Sequence, residues 1–188
     1  MVPEEIDLGD VVLRRWRQAD AEALTAAIAE RVEHLRVWMP WADRVTLDER
    51  RETLARWERE WESGGDLVWG LFAGSAIAGS FGLHRRVGPG GFEIGYWVHA
   101  SHTRHGYATA AVAALTSLAV TLPGITFVEI HHDRANVASA AVPRKLGFDL
   151  FGEARVERRT LAESGVTLVW RMTRDRWSPP SRTVATTP

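Results

Sequence analysis

Hydrophobic positions recur with two periods along the chain. The stretch "DVVLRRW", Asp10 to Trp16, is β-branched with polar flanks and predicts a first strand. Between Asp20 and about His34, Ala23, Leu24, Ala27 and Ile28 fall at helical spacing, with Asp20 placed to cap them. "TLDE", Thr46 to Glu49, is a capping box: the Thr46 hydroxyl can accept from the Glu49 amide while the carboxylate reaches back. The helix it opens should run to Ser63 and stop at Gly64-Gly65. Two strands, "DLVWGLFA" and "SAIAGSFGLH", meet at the turn Ala73-Gly74-Ser75. Gly-Pro-Gly-Gly at 88–91 precedes a fourth strand, "FEIGYWV". A third helix is expected from about Gly106 to Thr121, halted by Pro123-Gly124. "TFVEIHH" reads as a fifth strand and "NVASAAVPRKLG" as a short helix ending on Gly147. "DLFGEARVERR" and "VTLVWRMTR" read as a closing hairpin.

The predicted order is therefore β-α-α-β-β-β-α-β-α-β-β, one mixed α/β (α+β) domain over residues 1–175 with about seven strands. The fourth and fifth strands, joined through a helix, should lie parallel. From Arg176 onward "RWSPPSRTVATTP" has no core-forming pattern, so 176–188 is expected to be a flexible tail.

Composition narrows the chemistry more than the fold. With 45% hydrophobic and 25% charged residues and a net charge of −1, the chain gives no reason to expect nucleic acid or an anionic membrane as partner. It has no cysteine, which excludes disulfides, thiolate metal sites and a cysteine nucleophile, and which fits a cytoplasmic protein. The acidic start "MVPEEIDLGD" lacks the apolar core of a signal peptide, and no apolar run of membrane-spanning length follows. The adjacent His131 and His132 point to opposite strand faces, so no metal is predicted. Of nine tryptophans, Trp16, Trp57, Trp61, Trp69 and Trp170 suit the core. Trp38 and Trp41 differ, since "RVWMPWADR" is broken by Pro40.

The segment "TRHGYATAA" follows a strand and opens a helix with small residues. The first amides of a helix lack internal partners and sit at its positive pole, so a phosphate can dock there if side chains leave room. Gly106 and Ala108 leave that room, while Arg104, His105 and Thr109 offer charge or a hydroxyl. Close packing of the alanines on the sheet would produce the same pattern. Neither a Walker A loop nor a dinucleotide-binding glycine fingerprint is present.

Taken in order, "FEIGYWV", "TRHGYATAAV" and "ANVASAAVPRKLGF", with the upstream "LRVWMPW", resemble the GNAT superfamily of N-acetyltransferases, and within it the RimJ/RimL-like branch. The resemblance covers Arg14 to about Arg171. It implies a central mixed, mostly antiparallel sheet with flanking helices, and acetyl-CoA as the acyl-donor cosubstrate. The backbone of Arg104, His105, Gly106, Tyr107, Ala108 and Thr109 would cradle the CoA pyrophosphate. Tyr96, Trp97 and Val98 would bind pantetheine as an added strand, with Asn136, Ser139 and Lys145 as further cofactor contacts. Thr103 stands where the family usually has Gln or Arg, which alters side-chain contacts more than backbone ones.

Transfer of an acetyl group to an amine needs a base for the amine and a proton for the leaving thiolate. Glu93, flanked by Phe92 and Ile94, is the expected base, because burial raises a carboxyl pKa; a buried ion pair with an arginine is the competing reading. Ser139 is the expected acid beside the thiol, with Tyr107 as its rival. Trp38, Met39, Trp41, His84 and Glu93 are expected to line the acceptor cleft, although the tryptophans could equally pack on their own domain and His84 could be solvated. The acceptor implied is a primary amine on a small molecule or a protein N-terminus, acetylated directly in a ternary complex of a monomer or homodimer. A non-catalytic acetyl-CoA sensor and a nucleotide or phosphosugar binder are the alternatives.

Overall fold

A computed structural model describes residues 2–180, apart from the Arg44 side chain. Its strands are β1 (Glu5–Asp7), β2 (Val12–Arg15), β3 (Leu67–Ala73), β4 (Ala76–His84), β5 (Gly91–Val98), β6 (Phe127–Asp133), β7 (Asp149–Arg155) and β8 (Val166–Thr173). The helices are α1 (Ala21–Glu30), α2 (Val32–Leu35), α3 (Leu47–Ser63), α4 (Tyr107–Thr121) and α5 (Val137–Lys145). All eight strands form one sheet in the order β1-β2-β3-β4-β5-β6-β8-β7. Every neighbouring pair is antiparallel except β5 and β6, which the α4 crossover makes parallel.

The caps explain where the helices begin and end. Thr46 and Glu49 exchange the reciprocal bonds of a capping box, and Gly64 closes α3 in the left-handed region at φ 76°. Asn136 caps α5 by accepting from the Ser139 amide at 3.0 Å. Pro143 lies inside α5.

Four expectations are corrected. There are eight strands, not seven: β1 is a three-residue edge strand, too short and too exposed to show a period. The helix expected from Asp20 to His34 is two, because Arg31 leaves helical geometry at φ −132°, ψ 36°. Asp20 does not cap α1 with its side chain; its carboxylate takes both Arg14 guanidinium nitrogens, at 2.9 and 3.1 Å, and the Arg17 amide. Trp177, assigned to the tail expected from Arg176, is instead held in place: it packs against Phe148 and donates to the Ser117 hydroxyl at 3.0 Å. Residues 181–188 lie outside the described residues.

Each face of the sheet buries its own core. On one, Phe81, Leu83, Phe92, Ile94, Val128 and Ile130 pack with Ala111, Val112, Leu115 and Ala119 of α4. The alanines let that helix come close, which is where its small residues are used. On the other, Val68 and Ile77 pack with Trp16, Leu24, Ile28, Leu35 and Leu54 from the α1–α3 layer.

Candidate active site

The sheet splits at its centre. β5 and β6 are paired only from Gly91↔Phe127 to Glu93↔Glu129, although both strands continue. The outer edge of β5 stays with β4 as far as Gly79↔Val98, and that of β6 stays with β8 as far as Asp133↔Thr167. Polar backbone groups of Ile94–Val98 and Ile130–Asp133 that face inward therefore meet a gap, and an unpaired strand edge invites an extended ligand. The gap belongs to a cleft of 1640 Å³ lined by Tyr96, Trp97 and Val98 on one wall and by His131, His132 and Asp133 on the other.

At one end of this cleft lies the turn before α4. Arg104 (φ 66°) and Gly106 (φ 82°) both take left-handed backbone, and a Cβ at Gly106 would meet no atom within 4 Å. The first bond of the α4 ladder is from the Ala110 amide to Gly106 oxygen. Among the described residues, no protein acceptor is found for the main-chain amides of Arg104 through Thr109. These donors are aimed by a helix terminus and left free, which suits a diphosphate. Arg104, Gly106, Tyr107, Ala108 and Thr109 line the cleft; His105 does not, and instead stacks on Tyr107 at 5.3 Å between ring centroids.

Asn136, Ser139 and Lys145 also line it. The Ser139 hydroxyl lies 3.1 Å from the Tyr96 hydroxyl. Tyr96 is half-buried and stacks on Phe81, and its desolvation pushes its pKa up to about 12 despite the Ser139 contact. Tyr96 thus stays a neutral phenol that can hold or resupply a proton at Ser139.

The carboxylates at the fork behave otherwise than expected. Glu93 is 8% exposed, and burial alone would raise its pKa. Arg86 overturns this: its Nε and a terminal nitrogen each lie 2.7 Å from a Glu93 oxygen. That fork-to-fork pair, with the nearby His131 and His84, holds the Glu93 carboxyl below the usual glutamate range. Glu93 is a stable anion, poorly suited to the role of general base. Gly95 leaves the space this requires, since a Cβ there would sit 3.2 Å from the His84 ring and 3.3 Å from the Arg86 guanidinium.

Opposite Glu93, in register, is Glu129 on β6, which is 5% exposed in its side chain and gripped by Arg171. Two residues on, past the last paired position, His131 returns to the same face. Its Nε2 is 2.6 Å from Glu129 Oε2, and its Nδ1 is 3.7 Å from Glu93 Oε2. A carboxylate on Nε2 favours hydrogen on that nitrogen, while Nδ1 faces the Glu93 carboxylate across the fork. His132 points the other way and accepts from the Trp170 indole at 2.8 Å. Sequence reading weighed His131 only as a metal ligand and passed over Glu129 and Arg86. Only the alternation of Glu129 with His131 could have marked the pair.

Another part of the cleft is built of aromatic and polar groups. Trp38, Met39 and Trp41 line the cleft, and Trp41 lies 6.4 Å from Trp97 between centroids. His84 lines it too, held by Asp66 at 2.6 Å. Burial would raise the Asp66 carboxyl, yet the His84 bond and the Arg85 amide keep it below the ordinary range. Above, the Thr160 hydroxyl donates to Val37 oxygen at 2.8 Å, tying the loop before β8 to the tryptophan segment.

The Arg86–Glu93 pair makes a test of linkage. Because the folded pKa of Glu93 is lowered, its stabilising contribution is present above the unfolded carboxyl pKa and disappears as pH falls through the folded value. Arg86→Ala strands a buried anion and should cost about 1–3 kcal/mol at pH 7. The loss should shrink toward pH 4, where the stranded carboxyl can protonate. Denaturant melts of both proteins at the two pH values check this; an equal loss at both would count against it.

The model of the "Acetyltransferase (GNAT) domain" matches residues 10–149. The YdaF protein of Bacillus subtilis (strain 168), whose name gives it provisionally as a ribosomal N-acetyltransferase, is 30% identical over 149 residues, 77% of this chain and 81% of that protein. The fold is shared with the microcin C7 self-immunity acetyltransferase MccE solved with acetyl-CoA and AMP, at a TM-score of 0.83 and 19% identity over 92% of this chain and 97% of that one. It is shared equally with RimL, the ribosomal L7/L12 α-N-protein acetyltransferase solved with coenzyme A, at 0.83 and 20% identity over 90% and 98%.

Proposed function

The chain belongs to the GNAT acetyltransferase family and is an acetyl-CoA-dependent N-acetyltransferase; we propose that it transfers the acetyl group directly to a primary amine held at the fork between Glu93 and His131. The observation that carries this is the continuity of one cleft. It runs from free amides at Arg104–Thr109, along the unpaired edge of β5, to the fork.

The diphosphate of the donor rests on the α4 terminus, and its pantetheine lies along Tyr96, Trp97 and Val98, as the two relatives solved with acetyl-CoA or coenzyme A support. Asn136, Ser139 and Lys145 line the same wall. The acceptor enters as an ammonium, which the Glu93 anion attracts. His131 Nδ1 takes one proton, and the Glu129–Arg171 pair steadies the resulting imidazolium. The free amine attacks the thioester carbonyl, the tetrahedral intermediate expels CoA thiolate, Ser139 supplies the thiolate's proton with Tyr96 behind it, and the second proton of the amine nitrogen, released as the amide forms, restores that pair. With no cysteine in the chain, no thiol relay intervenes.

As acceptor, a protein N-terminus is favoured by the names of YdaF and RimL, and a small-molecule amine by that of MccE. Trp38, Met39, Trp41 and His84 suit either. Initial rates measured against both substrates should give intersecting lines, with mass spectrometry showing an N-acetyl product. Parallel lines, or acetyl-CoA binding without thiol release on any amine of a broad panel, would overturn the reading.

A further inference from the structure

The inward face of α3 reads Leu47, Arg50, Leu54, Trp57, Trp61. Leu47, Leu54 and Trp57 join the core of that layer, and Trp61 packs against the other core. Position 50 breaks the stripe with a guanidinium. Its Nε is buried and has no hydrogen-bond partner. Burial pulls the Arg50 pKa down from the usual arginine range, with neighbouring Glu49 opposing the shift and Arg56 adding to it. Glu49 is committed to the Thr46 cap, accepting from its amide at 2.9 Å. Among the described residues, no carboxylate lies within ion-pair distance of Arg50.

Of the other acids lining the cleft, Asp66 is matched with His84, Glu93 with Arg86, Glu163 with Arg159 and two amides, and Asp133 with the amides of Ala135, Ser164 and Gly165, while Glu157 is exposed. Glu60 accepts, at 3.4 Å, from the Asp66 amide. Arg50 lines the cavity as a half-buried guanidinium whose Nε has no hydrogen-bond partner. Its guanidinium lies 5.7 Å from the Trp41 ring centroid. Thr53 and Arg56, one and two turns further, border both the main cleft and a side recess of 650 Å³ under Pro40 and Trp41. Two acids border that recess, Glu49, already engaged, and Glu52 at its exposed edge; Arg59 adds a third arginine.

A half-buried guanidinium whose Nε is shut from solvent without a hydrogen-bond partner is costly at a core-facing helix position, and an apolar residue there would avoid that cost. A ligand group of opposite charge removes the cost. We propose that Arg50, with Thr53 and Arg56, forms an anion subsite beside the Trp41 ring, so that the acceptors of this enzyme are amines carrying a phosphate or carboxylate next to a flat group. The subsite rests on the acetyltransferase reading for its place, since it lies in the acceptor part of the same cleft.

Three probes of one framework test it: tyramine, its O-phosphate, and 4-(2-aminoethyl)benzoate. Calorimetry on the CoA-loaded protein should give tighter binding of both anionic probes than of tyramine, by about 10- to 100-fold, the range of charge-assisted hydrogen bonds. The ratio of kcat/KM should follow, mainly through KM. Preference for the phosphate alone or for the carboxylate alone identifies which anion the subsite takes, and either supports it. Arg50→Met should bring the ratio close to one with a melting temperature no lower than the native protein's; Arg50→Lys should restore part of the ratio. Equal binding of all three probes by the native protein overturns the proposal, as does an anionic preference that survives Arg50→Met. The two readings fail separately: anion preference without acetylation sinks the transferase reading, and acetylation of all three probes alike sinks the subsite.

Discussion

His131→Gln is expected to lower kcat by about 10²–10⁴-fold, the usual contribution of a positioned general base, with little change in the KM for acetyl-CoA. The ring stands on the acceptor side of the fork, 2.6 Å from Glu129, while the donor's amide cradle belongs to α4. The pH profile makes the test specific. If Nδ1 removes the amine proton, a rise of kcat/KM with pH is expected in the native enzyme and should flatten in His131→Gln. It should persist in Glu93→Gln, whose main effect should be a higher acceptor KM. The sign follows from the Arg86 pair: Glu93 is held below the ordinary glutamate range, so it is already ionised throughout the neutral region and contributes no proton step there. A Glu93→Gln enzyme that loses the rise while His131→Gln keeps it would return the base to Glu93.

The second large effect is expected from Gly106→Asp. Gly106 caps α4 at φ 82°, a region where Asp is among the better tolerated side chains, and its Cβ would enter empty space. An aspartate at a helix start is also favourable to the helix dipole. The melting temperature should therefore change by only a few degrees. Acetyl-CoA binding should fall by about 100-fold or more, because a carboxylate would sit among the amides meant for the diphosphate, where a charge-assisted bond is replaced by repulsion. Calorimetry with acetyl-CoA, beside a thermal melt, separates the two consequences. Unchanged affinity would remove the α4 terminus from the donor site.

These two positions differ in how they could be found. Gly106 belongs to a contiguous motif: the left-handed residue, the small side chains and the helix start all lie within Arg104–Thr109, so the chain's own spacing displays them. The same holds for the Thr46–Glu49 box and for Asn136 capping Ser139, each a bond across three residues. β1 escaped notice because three residues, with only Ile6 turned to the core, are too few to show a period, and the break at Arg31 because no glycine or proline announces it.

Chain-local spacing thus determined most of the elements, their caps and the row of free amides before α4, since those depend on bonds between residues a few positions apart. Tertiary structure decided the chemistry at the fork. Whether Glu93 is a base depends on Arg86 reaching across from the end of β4 and on His131 from β6, and the sum of those fields reverses what burial alone implies. Tertiary structure likewise shows Arg50 to be unpaired, because only the assembled layers reveal which carboxylates are within reach. Local order is written at short range, whereas a charge takes its character from every strand and helix packed around it.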